Sequence, residues 1–443
     1  MTRLGYGEEI RRWRVEKYKE YDRLSNVKPV GNLTQISAES KKEGLSCIGE
    51  SDFDFLCFVN GVLCVEADIN LNTIPDGIDL FRMDTRVYPG HCMLLQERQR
   101  QNCLQPIRNA LCDNGYGDIL LSSCLWVDGW STYLPPLPGE ARHERAGPST
   151  PSTYGGMFEH DFVVGLRCHC PSILQKWAAR PRHWPPQRIV QKVVSLGAYV
   201  TPVGCKGSEN YHMEWRICFN TGEAELVNDL NDTQAKVYVL LKMILKEIIK
   251  PDNKEITSFV LKNIILWQAE NNPQTKFHAR SLFYWLHDGL RELRTAIEKK
   301  QLRYYMIPER NLMAACGLTD ALQSKWVADI TVMMEEGPRV ILRLEKVRKA
   351  IIASPEPLLW LSKKMMELEM LQLEFFNRDW QCKNENREWR SDFIIQAIKR
   401  RMEEIMTEVV INMIQVGSSS FSDLVVRIIH CILCFIDYLT RRP

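Results

Sequence analysis

The sequence predicts an α+β protein in which strands dominate the first half of the chain and helices the second. Two stretches, residues 52–66 and 158–168, alternate apolar with other residues, as half-buried strands do. From Ala235 to Ile249, and in most later segments, apolar residues recur with a helical period. The composition, 45% hydrophobic and 25% charged residues, is average for globular proteins and excludes a disordered or collagen-like chain.

The length of the chain predicts several domains. Its 443 residues correspond to about three domains of ordinary size. The change of periodicity places a mixed α/β domain at 1–240 and a helical lobe at 241–345. A helical tail of unknown role follows at 346–443.

Charge and cysteine usage predict a cytoplasmic protein. The net charge of +2 gives no global attraction to nucleic acid or membranes. Fifteen scattered cysteines without a secretory signal indicate reduced thiols. The close pairs Cys168/Cys170 and Cys431/Cys434 lack a second pair at zinc-site spacing, so buried thiols are favoured. The apolar stretch 424–439 contains charges, which favours an amphipathic helix over a tail anchor. No transmembrane span is expected.

Three local patterns give further predictions. Residues 8–24 read as a surface helix that turns Trp13, Val15 and Tyr18 inward. The pair Asn60-Gly61 within the first strand pattern indicates a hairpin. The Pro- and Gly-rich stretch 130–156 predicts a long exposed loop.

Three acidic residues form a candidate metal site. Asp52 and Asp54 are spaced so that they share one face of a strand. Asp161 lies in an apolar strand, where a carboxylate needs a cation. Three acids on neighbouring strands can hold two Mg²⁺ ions, which prefer oxygen ligands. The alternative for Asp52 and Asp54 is a solvent-facing strand edge.

Ser40 lies twelve positions before Asp52, in a polar turn. Its hydroxyl and the neighbouring N–H groups could contact a triphosphate. Ser40 and Glu43 also fit a capping box at a helix start. Both interpretations can hold together, because a helix N-terminus attracts anions.

Several motifs resemble the Mab-twenty-one-like family, which includes the cyclic GMP–AMP synthase-like receptors. They occur in the family's order over residues 8–316: "ESKKEGLSCIGESDFDFL", "HDFVVGLRCHCP", "EWRICFNTGEAELV", "TQAKVYVLLKMILKEII", "ITSFVLKNIILWQAE" and "RYYMIPERNL". The resemblance implies a nucleotidyltransferase-fold mixed sheet with a spine helix, followed by an all-helical HhH/H2TH-like lobe. It places the active site in the cleft between them.

The resemblance also assigns roles to residues. Asp52, Asp54 and Asp161 match the catalytic metal triad of active members, and Ser40 matches the serine that holds the triphosphate. Glu39 stands where that motif has glycine. A bulky anionic side chain therefore replaces the residue that lets the backbone come close to a phosphate. Further positions match nucleotide-binding residues of the family: Arg216, Glu223, Lys242, Ser258 and Phe259, the last in place of a stacking tyrosine.

The implied function is a Mg²⁺- or Mn²⁺-dependent enzyme that joins ATP and GTP into a cyclic dinucleotide in innate immune sensing. The zinc-bearing insertion used for DNA sensing is absent between Glu223 and Lys242. Double-stranded RNA remains a possible activating ligand, with a basic groove expected at residues 11–19 and 177–188. The alternative is an inactive scaffold or interaction protein, which Glu39 and Ala224, at a position often lysine, favour.

Overall fold

A computed structural model describes most of the chain. The described residues are 1–443 except 30–31, 48–49, 135, 137–138, 155–157, 250–255, 315, 353–354, 417–427, 430–431 and 434–443. The predicted amphipathic helix at 424–439 and the pair Cys431/Cys434 therefore lie largely or wholly outside the described residues.

The strands fall between residues 33 and 218, as predicted. In chain order they are β1 (Leu33–Ser37), β2 (Phe53–Glu66), β3 (Asp79–Asp84), β4 (His91–Arg98), β5 (Leu111–Asp113), β6 (Ile119–Leu121), β7 (Glu140–Arg142), β8 (Thr150–Tyr154), β9 (Phe158–His169), β10 (Ala198–Thr201) and β11 (Trp215–Cys218).

Helices are spread along the whole chain and replace strands entirely after residue 218 in the described part. They are α1 (Glu8–Ser25), α2 (Glu39–Lys42), α3 (Gln105–Asn109), α4 (Ser123–Tyr133), α5 (Pro171–Ala178), α6 (Gln187–Leu196), α7 (Asn220–Asp229), α8 (Asp232–Ile244), α9 (Ser258–Asn271), α10 (Leu282–Lys299), α11 (Asp320–Glu336), α12 (Glu345–Ile352), α13 (Pro355–Asn384) and α14 (Phe393–Val416). The prediction of a mixed sheet core followed by a helical C-terminal region is confirmed.

The chain divides into two compact units. The first comprises residues 1–57, 134–163 and 348–443, and the second comprises 58–133 and 164–347. Strands β2 and β9 each begin in the first unit and end in the second. The domain ranges 1–240, 241–345 and 346–443 follow the sequence and stay predictions.

The first unit combines a small set of strands with the two ends of the chain. Strands β7, β8 and the beginning of β9 pair antiparallel. Helix α13 packs against both α1 and α14. The buried core of α13 and α14 consists of apolar side chains repeated at helical spacing: Leu361, Leu368, Phe375, Cys382, Ile395, Ile398, Met402, Ile405 and Val409.

The second unit contains a mixed sheet with the strand order β2-β3-β4-β11-β10-β9. Strands β2 and β3 are parallel, whereas the other neighbours are antiparallel. Helix α8 begins with a capping box in which Asn231 and Gln234 satisfy each other's backbone N–H groups. Helix α10 packs against α8, α9 and α11, which forms the helical part of this unit.

The predicted hairpin at Asn60-Gly61 is wrong, because β2 continues through both residues. Gly61 adopts a φ of 76°, which glycine tolerates without strain. A Cβ atom there would also lie 2.5 Å from the Arg100 guanidinium. The glycine therefore accommodates an irregular backbone conformation within a long strand. It does not mark a chain reversal.

The predicted loop at 130–156 is only partly correct. This stretch contains β7 and β8, which pair with each other, and β8 also pairs with β9. Pro151 lies opposite Asp161 in that ladder. Turn-rich composition hid these strands because strand formation depends on the partner strand more than on the composition of the segment itself.

Candidate active site

The acids of the first unit are positioned by an aromatic layer on the opposite face of their strands. The rings of Phe53 and Phe55 stack 6.5 Å apart in β2. Both rings contact His160 of β9, with centroids 5.4 and 5.7 Å away, and Phe55 stacks on Phe162 at 5.3 Å. Burial, together with the charge of the nearby Lys41 ammonium, lowers the pKa of His160 to about 4. A neutral imidazole therefore suits this apolar layer.

The carboxylates occupy the other face, because successive side chains of a strand point to opposite sides. Asp52 and Asp54 alternate with Phe53 and Phe55 along the chain. In β9, Glu159 and Asp161 alternate with the two aromatic positions in the same way. The Ser149 hydroxyl donates a hydrogen bond of 2.9 Å to Asp161 Oδ1, which orients that carboxylate.

Glu159 is an addition to the predicted acid set. Its pKa is raised above the ordinary value of 4.5, first by a hydrogen bond with Asp52, then by the charges of Asp52 and Asp161. A carboxyl group whose pKa is raised by neighbouring acids lies where the surroundings do not fully neutralise negative charge. The sequence signal for Glu159 was its two-residue spacing from Asp161 on a strand.

The donor set suits a hard divalent cation, since all of its ligands are carboxylate oxygens. Among the described residues, however, no group of three or more His, Cys, Asp or Glu side chains is arranged to hold a metal ion. Metal binding by Asp52, Asp54 and Asp161 therefore requires these acids to converge further than they do in this structure.

We expect Glu159→Gln to raise the melting temperature at pH 7 but not at pH 4. A carboxyl group with a raised folded-state pKa stabilises the fold at low pH, and this contribution is lost as pH rises through that pKa. Glutamine at position 159 carries no charge at pH 7, so the variant does not lose this stabilising contribution. Thermal unfolding at the two pH values tests this, with the exposed Glu144→Gln as the matched control. Equal melting temperatures of Glu159→Gln and the parent at pH 7 would contradict the prediction.

Ser40 follows a segment of the chain that is hydrogen-bonded to β2. The Ala38 N–H donates to the Asp54 carbonyl at 2.8 Å, and α2 begins immediately afterwards at Glu39. Ser40 is therefore inside the short helix, and its predicted role as a capping residue is wrong. The Glu39 side chain lies outside the described residues.

In the second unit, Glu223 occupies a buried polar network. Its Oε1 accepts a hydrogen bond of 2.6 Å from the Tyr304 hydroxyl. Its Oε2 lies 3.6 Å from the Lys262 ammonium. Burial and the charge of Glu223 raise the pKa of Tyr304 well above its ordinary value, so this hydroxyl remains a donor. The sequence motif "RYYMIPERNL" contains Tyr304, but its spacing gave no indication of this contact.

Phe259 joins the same network through its ring. Its centroid lies 5.6 Å from that of Tyr304, and the Lys262 ammonium lies 5.5 Å from the Phe259 centroid. Ser258 is the first residue of α9 and is half-buried. Lys242 lies in the last turn of α8, with its ammonium 5.6 Å from the ring centroid of Tyr238. The structure thus brings Glu223 and Phe259 together around Tyr304.

Arg216 lies in β11, paired in register with His91 of β4 and with Thr201 of β10. It is half-buried. Arg310, which the sequence did not single out, lies close enough to Arg216 for that charge to lower the pKa of Arg310. This second arginine is the other addition to the predicted residues.

Most cations of the expected basic groove already have acidic partners. In the first unit, Arg14 pairs with Glu369, and Lys17 pairs with Glu374 at 2.6 Å. In the second unit, paired cations include Arg180 with Glu270 and Arg188 with Asp229. Cations that are already paired with acids release fewer counterions when they bind RNA, so they contribute less to its affinity. RNA binding at these positions stays a prediction.

The remaining sequence predictions concern cysteines and membranes. The sulfur atoms of Cys168 and Cys170 lie 4.0 Å apart, and both thiols are free and buried, as expected for small apolar side chains. Within the described residues, every helix is too short or too polar for a membrane span.

A known protein family is similar to this chain in the helices of the second unit. Residues 233–328 match the family model of the Mab-21 protein HhH/H2TH-like domain. This segment covers nearly all of α8, all of α9 and α10, and about half of α11. No curated protein matches the chain significantly. In these helices the chain is therefore similar to the Mab-21 proteins, with the similarity shown over residues 233–328.

Proposed function

We propose that this chain is a metal-dependent nucleotidyltransferase of the cyclic GMP–AMP synthase-like type. Its product would be a cyclic dinucleotide second messenger made from ATP and GTP and used in innate immune sensing. The observation that carries the proposal is the acid group at the start of β2 and β9, where Asp52, Asp54, Glu159 and Asp161 alternate with the aromatic layer and the charges of Asp52 and Asp161 raise the pKa of Glu159. The Mab-21 match over 233–328 supports it, because that family includes such enzymes.

The residues of the first unit would supply the reaction chemistry. Asp52, Asp54 and Asp161 would hold Mg²⁺ or Mn²⁺, which when bound activates a hydroxyl and stabilises a leaving pyrophosphate. Asp161 keeps its orientation through the Ser149 hydroxyl. Glu159 adds negative charge that draws a cation to this face. Ser40 would contact the triphosphate.

The residues of the second unit would supply nucleotide recognition. Phe259 offers an aromatic ring for a base, with the Lys262 ammonium beside it. Lys242 and Ser258 would contact phosphates, and Arg216 would contact a base. Glu223 already binds Tyr304 and Lys262, so we propose that it positions these two groups as well as a nucleotide.

The test is turnover of labelled ATP and GTP with Mg²⁺ or Mn²⁺, with and without double-stranded RNA or DNA. We expect the double variant Asp52→Asn/Asp54→Asn to lower the rate by at least about 100-fold, because even residues that only support metal ligands contribute up to that much. The exposed Glu16→Gln serves as the control acid and should keep the parent rate. A cyclic dinucleotide formed equally by parent and double variant would overturn the proposal.

A second candidate is a non-catalytic Mab-21 scaffold. It is favoured by the lack, among the described residues, of three acids arranged to hold a metal. The same experiment separates the two functions. Absence of product under every condition, together with absence of metal-dependent nucleotide binding, would support the scaffold.

A further inference from the structure

Two arginines of the second unit lie together around the Gly90–His91 backbone. Arg216 is the register partner of His91 across β4 and β11, and the Gly90 carbonyl accepts a hydrogen bond from the Ile217 N–H at 2.9 Å. Arg310 packs directly over Gly90, where an added Cβ atom would lie 2.7 Å from Arg310 Cδ. Gly90 also has a φ of 79°. A glycine is thus required for the arginine to take this place.

The charges of this arginine pair repel each other. Burial lowers the pKa of Arg310, and the charge of Arg216 lowers it further. Burial and the charges of Arg310 and Arg216 together lower the pKa of His91 to about 4. His91 is therefore neutral at pH 7, and the net charge of the cluster comes from the two arginines.

No carboxylate in the described part of the chain forms an ion pair with Arg216 or Arg310. The Arg310 guanidinium instead lies 5.1 Å from the ring centroid of Tyr304. The charge of Glu223 raises the pKa of Arg310. The two Glu223 oxygens are already committed to Tyr304 and Lys262. Half-buried cations in such surroundings are costly without a counter-charge.

We propose that Arg216 and Arg310 together form a binding site for a phosphate group. Guanidinium groups present forked N–H donors that match phosphate oxygens, and such charge-assisted hydrogen bonds are the stronger kind. A phosphate would neutralise the repulsion between the arginines. The aromatic ring of Tyr304 holds Arg310 on one side, and Gly90 holds it on the other. Arg216 also belongs to the proposed nucleotide-binding residues, but phosphate binding by the two arginines does not depend on catalysis.

The phosphate could belong to a nucleotide or be free, and binding measurements distinguish these sources. Inorganic phosphate, pyrophosphate and ATP are titrated separately into the full chain by calorimetry. We expect Arg310→Gln to weaken binding by about 10-fold or more, since hydrogen bonds to charged groups contribute that much. Arg310→Lys should weaken it less. The exposed Arg280→Gln, from the same unit, is the matched control and should bind as the parent does.

A second measurement reports on the site without ligand turnover. The His91 ring titration, followed by NMR, should shift to higher pH when phosphate binds, because the anion offsets the two arginines. Arg310→Gln should raise the His91 pKa in the unliganded protein for the same reason. Unchanged binding of all three probes by Arg310→Gln, or no binding by the parent, would overturn the inference. If only the proposed function is wrong, the parent makes no cyclic dinucleotide but still binds the phosphate probes through Arg310.

Discussion

Replacing Arg14 by leucine is expected to destabilise the first unit by about 3–5 kcal/mol, the cost of leaving one partner of a buried ion pair alone. The side chains of Arg14 and Glu369 are 0% and 3% exposed. Arg14 Nε and Nη2 donate to the two Glu369 oxygens at 2.9 and 2.7 Å, and Nη1 donates to the Gly5 carbonyl at 2.7 Å. Burial lowers the pKa of Arg14, but the charges of Glu369, Cys47 and Glu50 and the hydrogen bond to Glu369 together raise it above its ordinary value.

Native-state hydrogen exchange of amides in α1 and α13 measures this loss, because it reports the opening free energy of that unit. The control is Arg12→Leu. Arg12 is 75% exposed and pairs with Glu8 on the surface of the same helix, where such a pair contributes at most about 1 kcal/mol. Arg14→Leu/Glu369→Leu should recover much of the loss, since it leaves no unpaired charge. A single Arg14 variant as stable as the Arg12 control would contradict the prediction.

Replacing Phe375 by alanine is expected to cost about 3–5 kcal/mol, the usual range for removing a buried aromatic side chain. Phe375 is 0% exposed in the core of α13 and α14. Its ring lies 5.8 Å from Phe376 and 6.5 Å from Trp389. Because the packed core relaxes only partly, the deletion leaves a cavity between the two tail helices.

The matched control is Phe393→Ala at the start of α14. Phe393 is 77% exposed, so its loss should change the unfolding free energy by no more than about 0.5 kcal/mol. Hydrogen exchange of α13 and α14 amides compares the two variants. Equal exchange rates would show that these helices do not share the core described above.

The elements that followed from sequence are those with a strong local period. Helix α1 was predicted at 8–24 and lies at Glu8–Ser25. The apolar repeat from Ala235 to Ile249 predicted a helix, and α8 covers most of it at Asp232–Ile244. In such helices, the residues that specify the structure lie within a few positions of one another.

The errors occur where pairing with another strand decides the structure. The pair Asn60-Gly61 would suit a turn, but β3 pairs with β2 from Val62 onward and keeps the strand extended. The Pro-rich stretch contains β8 because β9 offers it a pairing edge. Strand formation depends on such partners more than on composition.

The sequence by itself determined the helical periods, the alternating strands and the acids Asp52, Asp54 and Asp161, because each is a pattern of neighbouring residues. The tertiary structure alone decided which charges meet. Arg14 pairs with Glu369, 355 positions away in the chain, and Asp52 meets Glu159. Arg216 and Arg310 come together, and among the described residues no carboxylate forms an ion pair with either of them. Coulomb interactions depend on distance and burial, and neither quantity can be read from separation along the chain.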